Sequence, residues 1–199
     1  PPPPHSPFSS YGIGDIETKG YASNLSMGDT KYGITGPFQI NIANPASYAS
    51  LVSPVFNVGL NINLLQIQTD QSKTNGNKGY LKNISLAFPI TKWWGLSFGI
   101  VPFSKMGYEL SNSETFPEQG KVNYSYEETG GITQAYFGNG FNLIKDSTHN
   151  LSVGINASYL FGNMNKTKRV VPENQTGVFN TVFTDDKKMS GFNFDLGLL

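Results

Sequence analysis

Phe56-Asn57-Val58-Gly59-Leu60-Asn61-Ile62-Asn63-Leu64 decides the fold. Large apolar side chains alternate with Asn and Gly along the whole stretch. In an extended chain successive side chains point to opposite faces, so one face is apolar and the other small, polar and uncharged. The phase then slips: Leu65 and Ile67 are apolar, Gln66 and Gln68 polar. A one-residue slip predicts a β-bulge or the end of the buried zone.

The same alternation recurs down the chain. Ile84, Leu86 and Phe88 oppose Asn83, Ser85 and Ala87. Trp94, Leu96, Phe98 and Ile100 oppose Gly95, Ser97 and Gly99, in a run that can continue past Pro102 to about Leu110. A fourth run, about Lys121 to Ile144, sets Ala135, Phe137, Phe141 and Leu143 opposite Gln134, Gly138, Gly140 and Asn142. Leu151, Val153, Ile155, Ala157, Tyr159 and Phe161 alternate with Ser152, Gly154, Asn156 and Ser158. The last run pairs Phe192, Phe194, Leu196 and Leu198 with Gly191, Asn193, Asp195 and Gly197. A soluble β-sandwich usually carries Lys, Glu, Arg and Thr on its outer face. A face of Asn, Ser and Gly suits the lumen of a transmembrane barrel instead.

Composition agrees with an all-β membrane protein. Only 14% of the 199 residues are charged, and 14 basic residues balance 14 acidic ones. Phosphate backbones need a basic excess, so nucleic acid is not an expected partner. Cysteine is absent, which removes disulfides and thiolate metal sites. The 22 glycines disfavour helix, and no run approaches the ~18 apolar residues of a membrane helix. His5 and His149 lack ligand spacing to a second His or Cys. No nucleophile elbow occurs, and Gly12-Ile13-Gly14 lacks the third glycine and the helix of a dinucleotide site. Asp185-Asp186-Lys187-Lys188 reads as a solvated loop. The expectation is a non-enzyme without metal or cofactor.

The connections alternate as well. Ile90-Thr91-Lys92 and Lys145-Asp146-Ser147-Thr148 are tight turns, while 69–79, 111–120 and 163–189 are longer. Outer-membrane barrels have short periplasmic turns and long extracellular loops. That order sends the first strand outward and puts Trp93 and Trp94 at a periplasmic aromatic girdle. In the last long connection, Arg169–Val171 and Val178–Phe183 predict an extracellular β-ribbon around 172–177, with two further short spanning strands as the alternative. About six to eight spanning strands result, and six cannot close a barrel in lipid. The chain therefore reads as the N-terminal part of a longer barrel; a source protein no heavier than this chain would refute that. Residues 1–50 are turn-rich and weakly periodic, an extended segment ordered by its surroundings, and 51–199 form the wall. The opening Pro1-Pro2-Pro3-Pro4-His5 reads as a linker or a disordered end.

Several short motifs carry a family resemblance. They are Ser6-Pro7-Phe8-Ser9-Ser10-Tyr11-Gly12-Ile13-Gly14-Asp15, the stretch Ala22 to Gly28, Asn44-Pro45-Ala46-Ser47-Tyr48, Val101-Pro102-Phe103-Ser104 with Gly107-Tyr108, and Tyr159-Leu160-Phe161-Gly162. With these the chain resembles the FadL-type outer-membrane transport family in its Bacteroidota form, over nearly its whole length. The resemblance implies a barrel of about fourteen strands whose N-terminal segment folds inside as a hatch, with Asn44, Pro45 and Ala46 as its motif. It also implies passage of hydrophobic or amphipathic small molecules through the outer membrane of a Gram-negative bacterium. Outer-membrane lipid, a hydrophobic small molecule and other outer-membrane proteins are the partners considered.

Three further expectations concern the wall. Gly99, Pro102 and Gly107 mark a strand kink or a lateral opening, because proline cannot donate to a ladder; a bend at the membrane rim is the alternative. Asn57, Asn61, Asn63, Asn156 and Asp195 are candidates to line a lumen. Asp195, the one acid within a clear spanning strand, is expected to pair with a lumenal Arg, Lys or plug backbone rather than to line a pathway. So polar a lumen argues against an apolar conduit. The alternative function is a non-transporting barrel subunit of a larger outer-membrane assembly or secretion complex. Detergent dependence separates both from a soluble adhesin-like β protein.

Overall fold

Alternation with period two, sustained through each run, produces one antiparallel sheet. The computed structural model describes residues 12–68, 73–116, 120–146, 149–172 and 180–199; of these, the side chains of residues 63–65, 67, 68 and 73–78 lie outside the description. A two-residue strand, β1 (Asp15–Ile16), comes first. Six long strands follow: β2 (Val55–Gln68), β3 (Lys73–Pro89), β4 (Trp94–Phe116), β5 (Gly120–Lys145), β6 (Asn150–Pro172) and β7 (Thr181–Leu198). Each of the six pairs antiparallel with the next in sequence, and β1 adds to β4. The sheet is not closed: among the described residues β2 and β7 are its two edges. No helix of the described residues is long and apolar enough to cross a membrane.

The short connections fall where the sequence puts them: 90–93 joins β3 to β4, and β5 ends at Lys145 with β6 beginning at Asn150, residues 147 and 148 lying outside the description. The three long connections differ from expectation. β3 begins at Lys73, β4 runs on to Phe116, and β6 and β7 continue as one paired ribbon to Val170↔Thr181. The two extra spanning strands offered as an alternative are therefore not formed, and the ribbon is the upper part of β6 and β7 themselves. The turn placed at 172–177 lies almost wholly outside the described residues. The physical reason for the misjudged lengths is solvation. Where both faces of a strand are polar the hydrophobic period vanishes, but the backbone ladder does not. The phase slip is also displaced: the register shifts between Gly59 and Leu60, where β3 carries Lys82 as an extra residue. A bulge on the partner strand leaves no mark on the pattern of β2.

The two faces behave differently. One exposes Phe56, Leu60, Ile62, Phe137, Phe192, Phe194 and Leu196 in a continuous apolar band, with Leu196 81% exposed. Apolar surfaces of that extent mark contact with a membrane or another protein. Beside the 90–93 turn Trp93, Trp94 and Phe141 stack with ring centroids 6.0–6.4 Å apart. The opposite face is covered by the N-terminal segment, which contains a short helix α1 (Ala22–Leu25) and a 3-10 helix (Pro45–Ser50). The core lies between them: Tyr21, Ile40, Ile42, Tyr48 and Leu51 pack against Ala87, Val101 and Tyr136 of the sheet.

Candidate functional site

The 3-10 helix is set by its first residues. Asn44 is extended and its side chain accepts from the Ala46 amide at 3.2 Å, while Pro45 supplies a fixed φ and no orphan N–H at the first position. Pro45 through Ala49 are then buried against the sheet. They fit because the wall beneath is made of glycine. A Cβ on Gly140 would lie 2.6 Å from the Pro45 carbonyl oxygen; on Gly95 it would overlap the Tyr48 carbonyl, and on Gly154 the Pro45–Ala46 peptide. Gly95, Gly140, Gly154 and Gly197, one in each of β4, β5, β6 and β7, thus form a bed for the segment, a role of close approach rather than of unusual dihedrals.

Polar groups lock the segment laterally. The fully buried Tyr48 donates to Asn156 Oδ1 at 3.1 Å, and Asn156 Nδ2 donates to the Ile42 carbonyl at 3.0 Å. Asn44 Nδ2 donates to the carbonyls of Tyr32 and Leu198 at 2.8 and 3.0 Å, and Asn142 Nδ2 to that of Ala49 at 3.0 Å. Tyr21 Oη lies 2.6 Å from Ser85 Oγ and 3.2 Å from Tyr136 Oη, which in turn lies 2.9 Å from Ser97 Oγ. Burial pushes the Tyr21 and Tyr48 hydroxyls well above their ordinary range, so both remain protonated. Lys19 and Asp195 form a 2.6 Å ion pair across the segment–wall boundary.

The residues singled out by sequence divide accordingly. Asn44, Pro45 and Ala46 form the capped turn on the glycine bed. Asn156 and Asp195 are partners of that segment, and Asn57 and Asn61 bond within the wall, to Asn83 and to Tyr80. Asn63 lies in β2, with its side chain outside the description. Gly99 pairs with Ser85, and Pro102 sits beside a bulge just above the last β3–β4 pair, Ile84↔Ile100. Gly107 pairs with Thr129. The motif Ser6–Asp15 lies mostly outside the described residues. Sequence reasoning missed Tyr21 and Tyr136. Tyr136 had a signal, an aromatic in phase with the polar set of β5; Tyr21 had none. Among the described residues no group of three or more His, Cys, Asp or Glu could hold a metal ion.

Comparison with known families favours one of the two outer-membrane readings. The BamG family model matches residues 4–199. The chain belongs to the BamG family. This is an outer-membrane family of Gram-negative bacteria associated with the BAM complex, so the protein is an outer-membrane protein associated with a larger assembly that includes other outer-membrane proteins. The resemblance to FadL-type transporters is thereby corrected. Its motifs mislead for a stereochemical reason. Asn-Pro-Ala is a capped turn, and glycine in alternate strand positions is what any sheet needs to receive backbone closely; neither specifies a transporter. No curated protein and no solved structure matches the chain.

Proposed function

We propose that this BamG-family chain is a non-transporting subunit of its outer-membrane assembly, with residues 51–199 contributing part of a barrel wall and the N-terminal segment plugging the lumen. The observation that carries this is the state of the inner face. Across β4 to β7 it offers glycines pressed against Pro45–Ser50, at Gly95, Gly140 and Gly154, and polar groups bonded to the N-terminal segment, at Asn156, Asn142 and Asp195. A conduit needs such groups to face solute; here they face the plug. The apolar band on the other face supports contact with lipid. The role is structural rather than enzymatic.

The test is purification of the tagged protein from its own outer membrane in mild detergent. The expected result is stable co-purification with other outer-membrane subunits, and planar-bilayer recordings of the isolated protein without steady conductance. A freely migrating protein with a permanent solute conductance would overturn the reading.

A further inference from the structure

The wall splits between β3 and β4. The two strands pair only from Ile84↔Ile100 to Pro89↔Gly95, whereas β4 pairs with β5 from Trp94↔Phe141 to Phe116↔Gly120. Both banks of the split are irregular near one level: Lys82 is the extra residue of β3 and Phe103 that of β4.

The split is filled by β1, which pairs antiparallel to β4 through Asp15↔Lys105 and Ile16↔Ser104. The Glu17 amide donates to the Phe103 carbonyl at 2.9 Å, and Ser104 Oγ donates to the Ile13 carbonyl at 2.6 Å. The Glu17 carboxylate reaches both banks. Lys82 Nζ lies 2.9 Å from one oxygen, and Lys105 Nζ 2.9 Å from the other, an ion pair by distance without hydrogen-bond alignment. The Lys105 ammonium also lies over the Tyr80 ring. Gly14, at φ +87°, passes so close to β4 that a Cβ would stand 2.5 Å from the Lys105 carbonyl oxygen.

We propose that this split is a strand-acceptor slot, occupied in this state by the chain's own N-terminal strand and open to exchange for an extended acidic segment of another outer-membrane protein. The resident strand shows what fits: antiparallel entry along β4, a glycine where Gly14 now lies, and a carboxylate three residues later. Backbone pairing to an open strand supplies affinity and the ionic clamp supplies selectivity. Exchange is favoured over simple opening by electrostatics. An emptied slot leaves the nearly buried Lys82 and Lys105 ammonium groups facing each other without a counter-charge, along with unpaired backbone at Phe103 and Lys105. An incoming carboxylate removes both penalties. That the partner is another outer-membrane protein rests on the assembly reading above.

The test uses the full-length protein from its own membrane and a synthetic peptide of residues 12–20 with a benzophenone side chain in place of the exposed Ile16. Glu17→Gln and, separately, Gly14→Ala loosen the resident strand, the second without touching the clamp; heat-modifiable mobility on gels selects the folded variant. The expected result is photo-crosslinking to β4 around 103–106, at least ten-fold above wild type in either folded variant. It should fall at least ten-fold when the peptide's own glutamate is replaced by glutamine. Equal labelling by acid and amide peptides, or crosslinks scattered away from β3 and β4, overturns the slot. Loss of subunit co-purification with peptide exchange intact would sink the assembly reading and leave the slot standing.

Discussion

Tyr48 has no exposed surface, yet its hydroxyl and its backbone serve different ends: the hydroxyl binds Asn156, and the carbonyl rests where Gly95 has no side chain. The two contacts differ in cost when broken. Tyr48→Phe leaves Asn156 Oδ1 without that donor and should cost about 1–3 kcal/mol. Gly154→Leu puts a side chain into the Pro45–Ala46 peptide and should cost at least as much, about 1–3 kcal/mol or more, and also release the segment. Thermal denaturation in detergent measures the first. Accelerated proteolysis within 20–50, with the wall still resistant, distinguishes the second. Glu17 makes a prediction of opposite character. Burial pushes its carboxyl up, but the pairs with Lys105 and Lys82 outweigh burial and hold it below the ordinary glutamate value. A lowered folded pKa contributes stability that is present above the unfolded value and lost as pH falls through the folded one. The Glu17 amide should therefore stay protected from hydrogen exchange on mild acidification and lose protection only beneath the ordinary glutamate range. Glu17→Gln should abolish that dependence; an unchanged profile would count against the clamp.

At the scale of elements, β6 and the upper part of β3 make the useful comparison. β6 is paired on both sides along most of its length, whereas β3 above Ile84 pairs with β2 and, among the described residues, not with β4. Amides of β6 from Gly154 to Asn163 should exchange more slowly than those of β3 from Lys73 to Lys82; equal protection would mean that the split does not persist in solution. The existence of six long strands, their order, the tight turns and the Trp93–Trp94 cluster were all legible from period-two alternation. Strand ends were not, because beyond the apolar band Ser111–Phe116 and Lys166–Val171 carry no hydrophobic period while their backbones still pair. The bulge at Lys82 and the split were hidden for a related reason. Pro102 and Gly99 flag a weak ladder, but nothing local says that a strand some ninety residues upstream, Asp15–Ile16, fills it.

For the molecule as a whole, the apolar band is the feature with the largest energetic consequence. Leu196 lies within it and Asp186 on the same face of β7 above it. Leu196→Arg should cost about 2–4 kcal/mol if that face meets lipid at mid-depth, and Asp186→Arg close to nothing. Refolding into bilayers measures both, and equal effects would argue that the face is not in lipid. Outer-membrane placement could be read from residues, because alternation and lumen-like composition report the solvent on each face. The family could not. Asn44, Pro45 and the wall glycines encode a way of packing a segment on a sheet, and that packing is not particular to one family.

The glycine bed also has a consequence in time. Asn44 bonds to Leu198, and Lys19 pairs with Asp195, so the N-terminal segment finds these partners only when β7 has been laid down. Contacts of such separation form late, after the loops between them have closed. The segment must travel extended, its polar backbone unsatisfied by structure, until the whole of the described wall exists to receive it. Docking of residues 20–50 is thus a completion signal: protease protection there should appear after, and never before, protection of β7.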